Sequence, residues 1–485
     1  MHIFRLFRGW IRLIVTLLIG GSLYGTSQQK NILFISVDDL RPAMECYGVE
    51  QARTPHMDAL AKSGRLFKKH YVQVPTCGAS RHSMLTGRYP RSRAEIKNSA
   101  SRILMDVSSN LPRSMPELFR KNGYTTVCIE KISHMPDGLF NGTPELPGAW
   151  DEMSTPFGPW KEHGSYQLLF SYANGATRKK GHYEPLYEFP DVEDNELPDG
   201  MLAETAVQRL EQFAREGNPF FMGVGFYKPH LPFVAPRRYK DLYDGINFPS
   251  PYEMQRGDTQ RIGQSNEFYS YTTPFERPEK NQTLSEAEAQ EARRAYHACV
   301  SYVDAQVGKL LQTLEKTGLA ENTIVVLWGD HGWHLGEHNA WAKHTPMNYS
   351  LRSSFIMRVP GQRFPGTPTN SLAASIDIYP TLVDLCSLEK RETYKPLEGI
   401  SLRPILADPN ESVRSEVLSF WYATSLNDGR YHLIVSENQE GSYNADLYDL
   451  QNDPGELVNV AALQPEVMKR LMQQLRSAYP QIILE

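Results

Sequence analysis

An α/β fold, with a mainly parallel sheet between helices and a smaller C-terminal α+β subdomain, is predicted by three features of the chain. Its β-rich apolar runs are continuous rather than alternating, helical patterns separate them, and the character of the sequence changes after about residue 408. A continuous apolar strand is buried on both faces, which is the situation of a parallel sheet covered by helices. Strands that alternate with helices supply the crossovers such a sheet needs. The 485 residues exceed one ordinary domain and suit one large unit plus a smaller one.

The first strand is Asn31–Val37, which ends in Asp38 and Asp39. Thr54, a cap, and Pro55, suited to a first turn, open a helical pattern read over residues 54–67. Further strands are predicted at 125–129, 220–225 and 323–327, with helices over 114–122, 201–216 and 287–317. The stretches 141–198 and 233–280 are rich in Gly, Pro and aromatics with weak periodicity, and read as long surface excursions of the kind that build substrate pockets. Beyond residue 408, strands at 415–422 and 431–436 are joined by a turn at Asn427-Asp428-Gly429, and a helix follows over 464–478.

At the N-terminus, Arg5, Arg8 and Arg12 precede an apolar run from Leu13 to Gly21, and small residues follow at Gly25 and Ser27. This is the pattern of a signal peptide, expected over 1–27, and nine apolar residues are too few to span a bilayer. The chain is therefore expected to be exported, secreted or periplasmic, with no transmembrane segment after signal cleavage. Residues 28–408 form the expected catalytic domain and 409–485 the C-terminal subdomain. A net charge of -5 without a basic block excludes nucleic acid as a natural partner, yet leaves room for an anionic small substrate. Five cysteines, at 46, 77, 128, 299 and 386, leave at least one thiol unpaired.

Three constellations carry chemistry. The first is Cys77-Gly-Ala-Ser80-Arg81, followed by Leu85-Thr-Gly. A lone cysteine is ordinarily a buried thiol; the neighbours in register set Cys77 apart, while Cys46, Cys128, Cys299 and Cys386 read as buried thiols. The second is Asp38, Asp39, Asp330 and His331, at the ends of two predicted strands. Asp-Asp alone is as often a turn or a cap, but three carboxylates converging at strand ends suit a hard divalent cation. A zinc site would recruit more His or Cys. The third is cationic: Arg81, Lys131, His134, His230 and Lys343. Lys131 and His134 follow one predicted strand, His230 another, and Lys343 lies twelve residues after His331. Fixed cations stabilise charge on a transferring anionic group, and a histidine can protonate a leaving oxygen. His334, Glu337 and His338 read as a structural loop or substrate subsite, and His82 as structural.

The Cys77 motif resembles the signature of the formylglycine-dependent sulfatases, and Gly225-Phe-Tyr-Lys-Pro-His and Asp330-His-Gly-Trp through Lys343 look most like iduronate-2-sulfatases. Downstream, Asp377-Ile-Tyr-Pro-Thr-Leu, Gly399-Ile-Ser-Leu-Arg-Pro and Leu447-Tyr-Asp-Leu-Gln-Asn-Asp-Pro-Gly-Glu fit the same family. Ala79 departs from the Pro most members carry; it is an accepted variant that some maturation systems handle less well. The resemblance implies an alkaline-phosphatase-like core. It also implies oxidation of Cys77 to formylglycine by a separate formylglycine-generating enzyme. One Ca2+ would be held by Asp38, Asp39, position 77, Asp330 and His331. Arg81 and Lys131 would hold formylglycine and sulfate, His134 would bind the hydrated aldehyde, His230 would protonate the leaving oxygen and Lys343 would bind sulfate. The expected reaction is hydrolysis of a sulfate ester on a carbohydrate, a 2-O-sulfated uronate or related polysaccharide unit. A phosphodiesterase or phosphonate hydrolase of the same superfamily is the enzymic alternative, and a catalytically inactive glycan-binding protein the non-enzymic one.

Overall fold

A computed structural model describes residues 29–178, 184–251, 265, 267–271, 283–437 and 443–479. The segment read as a signal peptide, 1–27, lies outside them. Among the described residues no helix is long and apolar enough to cross a membrane.

The main sheet has eight strands: β1 Asn31–Val37, β2 Arg65–Tyr71, β3 Thr125–Glu130, β4 Glu152–Ser154, β5 Phe220–Phe226, β6 Thr323–Gly329, β7 Phe355–Arg358 and β8 Thr369–Ala374. Their spatial order is β8-β2-β7-β6-β1-β5-β3-β4. Only β7 runs against its neighbours. The expected mainly parallel sheet is therefore present, and β1 sits near its middle. The alternation of side chains sends Ile32 and Phe34 to one face, and Leu33, Ile35 and Val37 to the other. The first face packs on α2 Cys77–Thr86, α3 Met115–Lys121 and α6 Ile378–Leu385 through Met84, Leu118, Phe119 and Leu382. The second packs on α1 Pro55–Ser63, α4 Pro198–Glu216 and α5 Glu286–Lys316 through Leu60, Leu210, Tyr296 and Val300.

Four sequence readings are corrected. The helix expected over 54–67 ends at Ser63; Gly64 breaks it, and residues 65–71 are β2. Leu66 and Phe67 fit either period, so the sequence pattern could not separate the two. The excursion 141–198 is not all surface, since it contributes β4 to the sheet and buries Trp160 completely. In the C-terminal sheet, β9 Val417–Phe420 and β11 Tyr431–Glu437 are separated by an unforeseen strand, β10 Thr424–Asn427. The Asn-Asp-Gly turn thus joins β10 to β11, and β12 Tyr443–Asp449 completes four antiparallel strands under α7 Pro465–Ala478. Cys46 is only half-buried, whereas the other cysteines are buried, and none of the five is in a disulfide.

Candidate active site

The sheet register brings the site together. Val37 lies opposite Gly329 in β6 and opposite Phe226 in β5, and Glu130 of β3 lies opposite Gly225. The residues that leave these strands next, Asp38 with Asp39, Asp330 with His331, Lys131, and Lys228 through His230, therefore emerge along one edge. A side chain at Gly225 would put its Cβ 2.2 Å from the Lys131 carbonyl oxygen, so glycine is what lets β3 and β5 leave the sheet this closely. Cys77 is the first residue of α2, where unpaired backbone N–H groups favour negative charge. The next residue, Gly78, donates its N–H to Asn98 Oδ1 at 2.9 Å.

The charges interlock. Lys131 Nζ donates to Asp38 Oδ2, and Arg81 Nε to Asp330 Oδ2 at 3.0 Å. Lys343 Nζ is 2.6 Å from Asp39 Oδ1 and 3.4 Å from Cys77 Sγ. His331 Nε2 is 3.3 Å from the same sulfur and 3.2 Å from Asp39 Oδ1. Burial alone would raise the Asp38 carboxyl, but Lys131, His230, Arg81 and Lys343 hold it well below the usual carboxylate range. Burial pushes Asp39 up to about 7, against the pull of Lys343. The Cys77 thiol is driven well above its ordinary range by burial and by the Asp38 charge. An unmodified cysteine is thus a poor nucleophile here, because the thiolate is the reactive form.

The donor set fits a divalent cation. One ligand atom each from Asp38, Cys77, Asp330 and His331 lies within 4.8 Å of the others. Asp38 Oδ1 and Asp39 Oδ2 are buried and accept no hydrogen bond, so each carboxylate keeps one oxygen that its lysine partner does not satisfy. His331 Nδ1 is 2.9 Å from the Gly332 carbonyl, which only accepts, so Nδ1 is the donor there and Nε2 is the ring atom turned to the cluster.

Above this floor lies a pocket of about 590 Å³, lined among others by Cys77, Lys131, His134, His230 and Lys343. His134 is buried and its Nδ1 has no partner; burial and the Lys131 charge keep its pKa well below the usual value. His230 donates Nδ1–H to the Leu231 carbonyl at 2.6 Å, and its Nε2 is 3.2 Å from Glu267 Oε1. Burial lowers the His230 pKa, against the pull of Asp38 and Glu267, and Nε2 is the ring atom turned to the Glu267 side of the pocket wall. Arg81 and Asp330 sit below, with Arg81 closed off from solvent.

A family model described as Sulfatase matches residues 30–388. The chain belongs to the sulfatase family. It is accordingly a sulfuric ester hydrolase. A second model, described as N-sulphoglucosamine sulphohydrolase, C-terminal, matches residues 336–481 of this sulfatase. Mouse (Mus musculus) iduronate 2-sulfatase is 32% identical over 407 residues, covering 74% of this chain and 69% of that protein. Two solved structures share the fold: one of a protein in complex with its substrate D-glucosamine-2-N,6-O-disulfate, and the phosphonate monoester hydrolase of Agrobacterium radiobacter. Their TM-scores are 0.71 and 0.74, their identities 22% and 21%, and they cover 93% of this chain and 98% and 96% of theirs.

All ten residues singled out from the sequence thus lie in this sulfatase's pocket or directly beneath it. His334, Glu337 and His338 are buried to one side: Glu337 pairs with Arg41 at 2.7 Å and His334 Nε2 bonds Thr345 Oγ1 at 2.8 Å, which favours the structural reading. Missed were Glu267, Tyr166, Arg178, Trp421 and Tyr422, all of which line the pocket. Three consecutive aromatics at a strand end, Phe420-Trp421-Tyr422, were a visible signal. Glu267 and Arg178 had none, because they sit on excursions without periodicity.

Proposed function

We propose that this sulfatase removes sulfate from a 2-O-sulfated uronate-type unit of a glycosaminoglycan or related polysaccharide, through a formylglycine made from Cys77. The observation that carries the reading is the place of Cys77 Sγ, at a helix N-terminus between Lys343 Nζ and His331 Nε2 on the floor of a cation-lined pocket. The likeness to iduronate 2-sulfatase supports the uronate. Formylglycine supplies a geminal diol, one hydroxyl of which attacks sulfur while the other allows collapse to the aldehyde and release of sulfate. Asp38, Asp39, Asp330 and His331, with position 77, would hold the divalent cation, and the oxygen-rich donor set favours calcium, which would supply Lewis acidity and a template. Lys131, Arg81 and Lys343 neutralise charge around the nucleophile and the sulfate; His134 orients the nucleophile; His230 gives its proton to the leaving sugar oxygen. The basic, apolar and small residues before position 27 support export, with a formylglycine-generating enzyme as the maturation partner.

The test is mass spectrometry of the peptide across Cys77, from protein made in its native host, joined to turnover of a 2-O-sulfated uronate. Conversion of the thiol to the aldehyde, with activity lost in Cys77→Ser, is the expected result. Full activity on an unmodified thiol would overturn the mechanism. Faster turnover of phosphate or phosphonate esters than of sulfate esters would favour the phosphorus-ester reading, and stable glycan binding without turnover the non-catalytic one.

A further inference from the structure

Of the three lysines and arginines that line the pocket, Lys131 and Lys343 are matched by Asp38 and Asp39. Arg178 is not. Its guanidinium lies over the Phe170 ring, 3.8 Å from the centroid, and Nη1 donates to Tyr271 Oη at 3.0 Å. No carboxylate among the described residues pairs with it. Its backbone N–H is fixed as well, donating to the Phe170 carbonyl at 3.0 Å. A half-buried guanidinium held by a ring and one hydroxyl keeps most of its five donors unspent, in a rigid planar fork that matches a carboxylate or sulfate.

The position of this fork is informative. The Phe170 ring that carries Arg178 also packs edge-on against His230, with ring centroids 5.6 Å apart and planes at 71°. His230, Phe170 and Arg178 therefore follow one another along a single wall. The proton donor stands at one end and an unmatched cation at the other, one aromatic ring away. With the ester over Cys77 and its leaving oxygen at His230, an anion held by Arg178 on the Phe170 ring would belong to another part of the same substrate.

We propose that Arg178 is a specificity-determining residue that binds a second anionic group of the substrate, a carboxylate or a further sulfate, set about one sugar ring from the scissile ester. The inference rests on the carbohydrate sulfatase reading above and adds to it a requirement for two anions.

Steady-state kinetics of the wild type, Arg178→Lys and Arg178→Ala test it on four probes. These are a 2-O-sulfated uronate disaccharide; the same sugar with the carboxyl reduced to hydroxymethyl; the reduced sugar with a second sulfate on the neighbouring residue; and 4-nitrophenyl sulfate, which has one anion. Losing a charge-assisted hydrogen-bonded pair corresponds to about 10- to 100-fold. Arg178→Ala is expected to raise KM on the uronate by that factor with little change in kcat. Arg178→Lys falls between, and 4-nitrophenyl sulfate is unaffected. The reduced sugar shows which anion is read: loss of the Arg178 effect identifies the carboxylate, and its return with the second sulfate identifies sulfate as a substitute. An unchanged KM on every saccharide, or equal losses on all four probes, overturns the inference and leaves the proposed function standing. A wild type that turns over 4-nitrophenyl sulfate and no sulfated sugar overturns both.

Discussion

Each buried charge at the site is held by a partner, and removing one leaves the other exposed to a low-dielectric interior. His230 is the exception, because its value lies in a proton rather than in a fixed charge. A sugar alkoxide leaves only when protonated, whereas 4-nitrophenolate leaves unaided. His230→Ala is therefore expected to lower kcat on a sulfated sugar by roughly 10²- to 10⁴-fold, and to affect 4-nitrophenyl sulfate far less. Equal losses on both substrates would remove His230 from the proton-donor role. The orphaned oxygens of Asp38 and Asp39 give a second expectation. Chelation of divalent ions should abolish activity and lower the unfolding temperature, with calcium restoring both. Calcium at a hundredfold its Kd would stabilise the fold by about 2.7 kcal/mol, measurable by calorimetry. At this scale the sequence was highly legible, because Asp38, Asp330 and Lys131 directly follow strands whose apolar runs are unmistakable. Glu267 was illegible for the converse reason: nothing local marks it, and only the folded chain brings it to His230.

Strand β2 shows what an element can hide. It follows α1 after a single glycine, and its Arg65 is fully buried, donating to the carbonyls of Phe364 at 3.1 Å and Leu406 at 3.2 Å. No local pattern announces a buried arginine satisfied by carbonyls some 300 residues away. Five positions on, His70 is clamped between Ser353 Oγ at 3.0 Å and Ser375 Oγ at 3.1 Å. Burial pushes its pKa from the ordinary 6.5 down to about 3. Between those values the unfolded chain binds a proton that the folded chain refuses, so the stability His70 contributes is complete above pH 6.5 and declines as the pH falls. At pH 5 the loss is roughly 2 kcal/mol. Urea unfolding at pH 7 and pH 5 should show a smaller acid loss in His70→Gln than in the wild type. An identical loss in both would place the acid sensitivity elsewhere, for instance at the similarly buried His297.

The small C-terminal sheet is joined to the main body by directed hydrogen bonds. Phe420 N–H donates to the Gln73 carbonyl at 2.8 Å, Ser419 Oγ to the Val72 carbonyl at 2.6 Å and Lys69 Nζ to the Gly429 carbonyl at 2.7 Å. The existence of this sheet could be read from its short strands and turn residues, but its docking could not, since the acceptor in each contact is a backbone carbonyl, a group common to every residue. Docking brings Trp421 into a stack on His344, with ring centroids 5.0 Å apart, and sets Tyr422, 66% exposed, at the pocket mouth. Tyr422→Ala should therefore leave the unfolding temperature and 4-nitrophenyl sulfate turnover nearly unchanged while raising KM for oligosaccharides several-fold. A large loss of stability would make the residue part of the docking instead.

The depth of Cys77 has a consequence in time rather than in space. Its side chain is 2% exposed, at the start of a helix whose ten residues are all buried. A sulfate ester is small enough to reach that floor, whereas the active site of a second enzyme is not. Under the proposed chemistry, oxidation must precede closure of the sheet around residue 77. Folding and maturation then compete for the same nascent segment, and a chain that folds first is locked as the thiol. Folded, unconverted protein should stay inactive when mixed with the maturation enzyme, and gain activity only if it is unfolded and allowed to refold in that enzyme's presence.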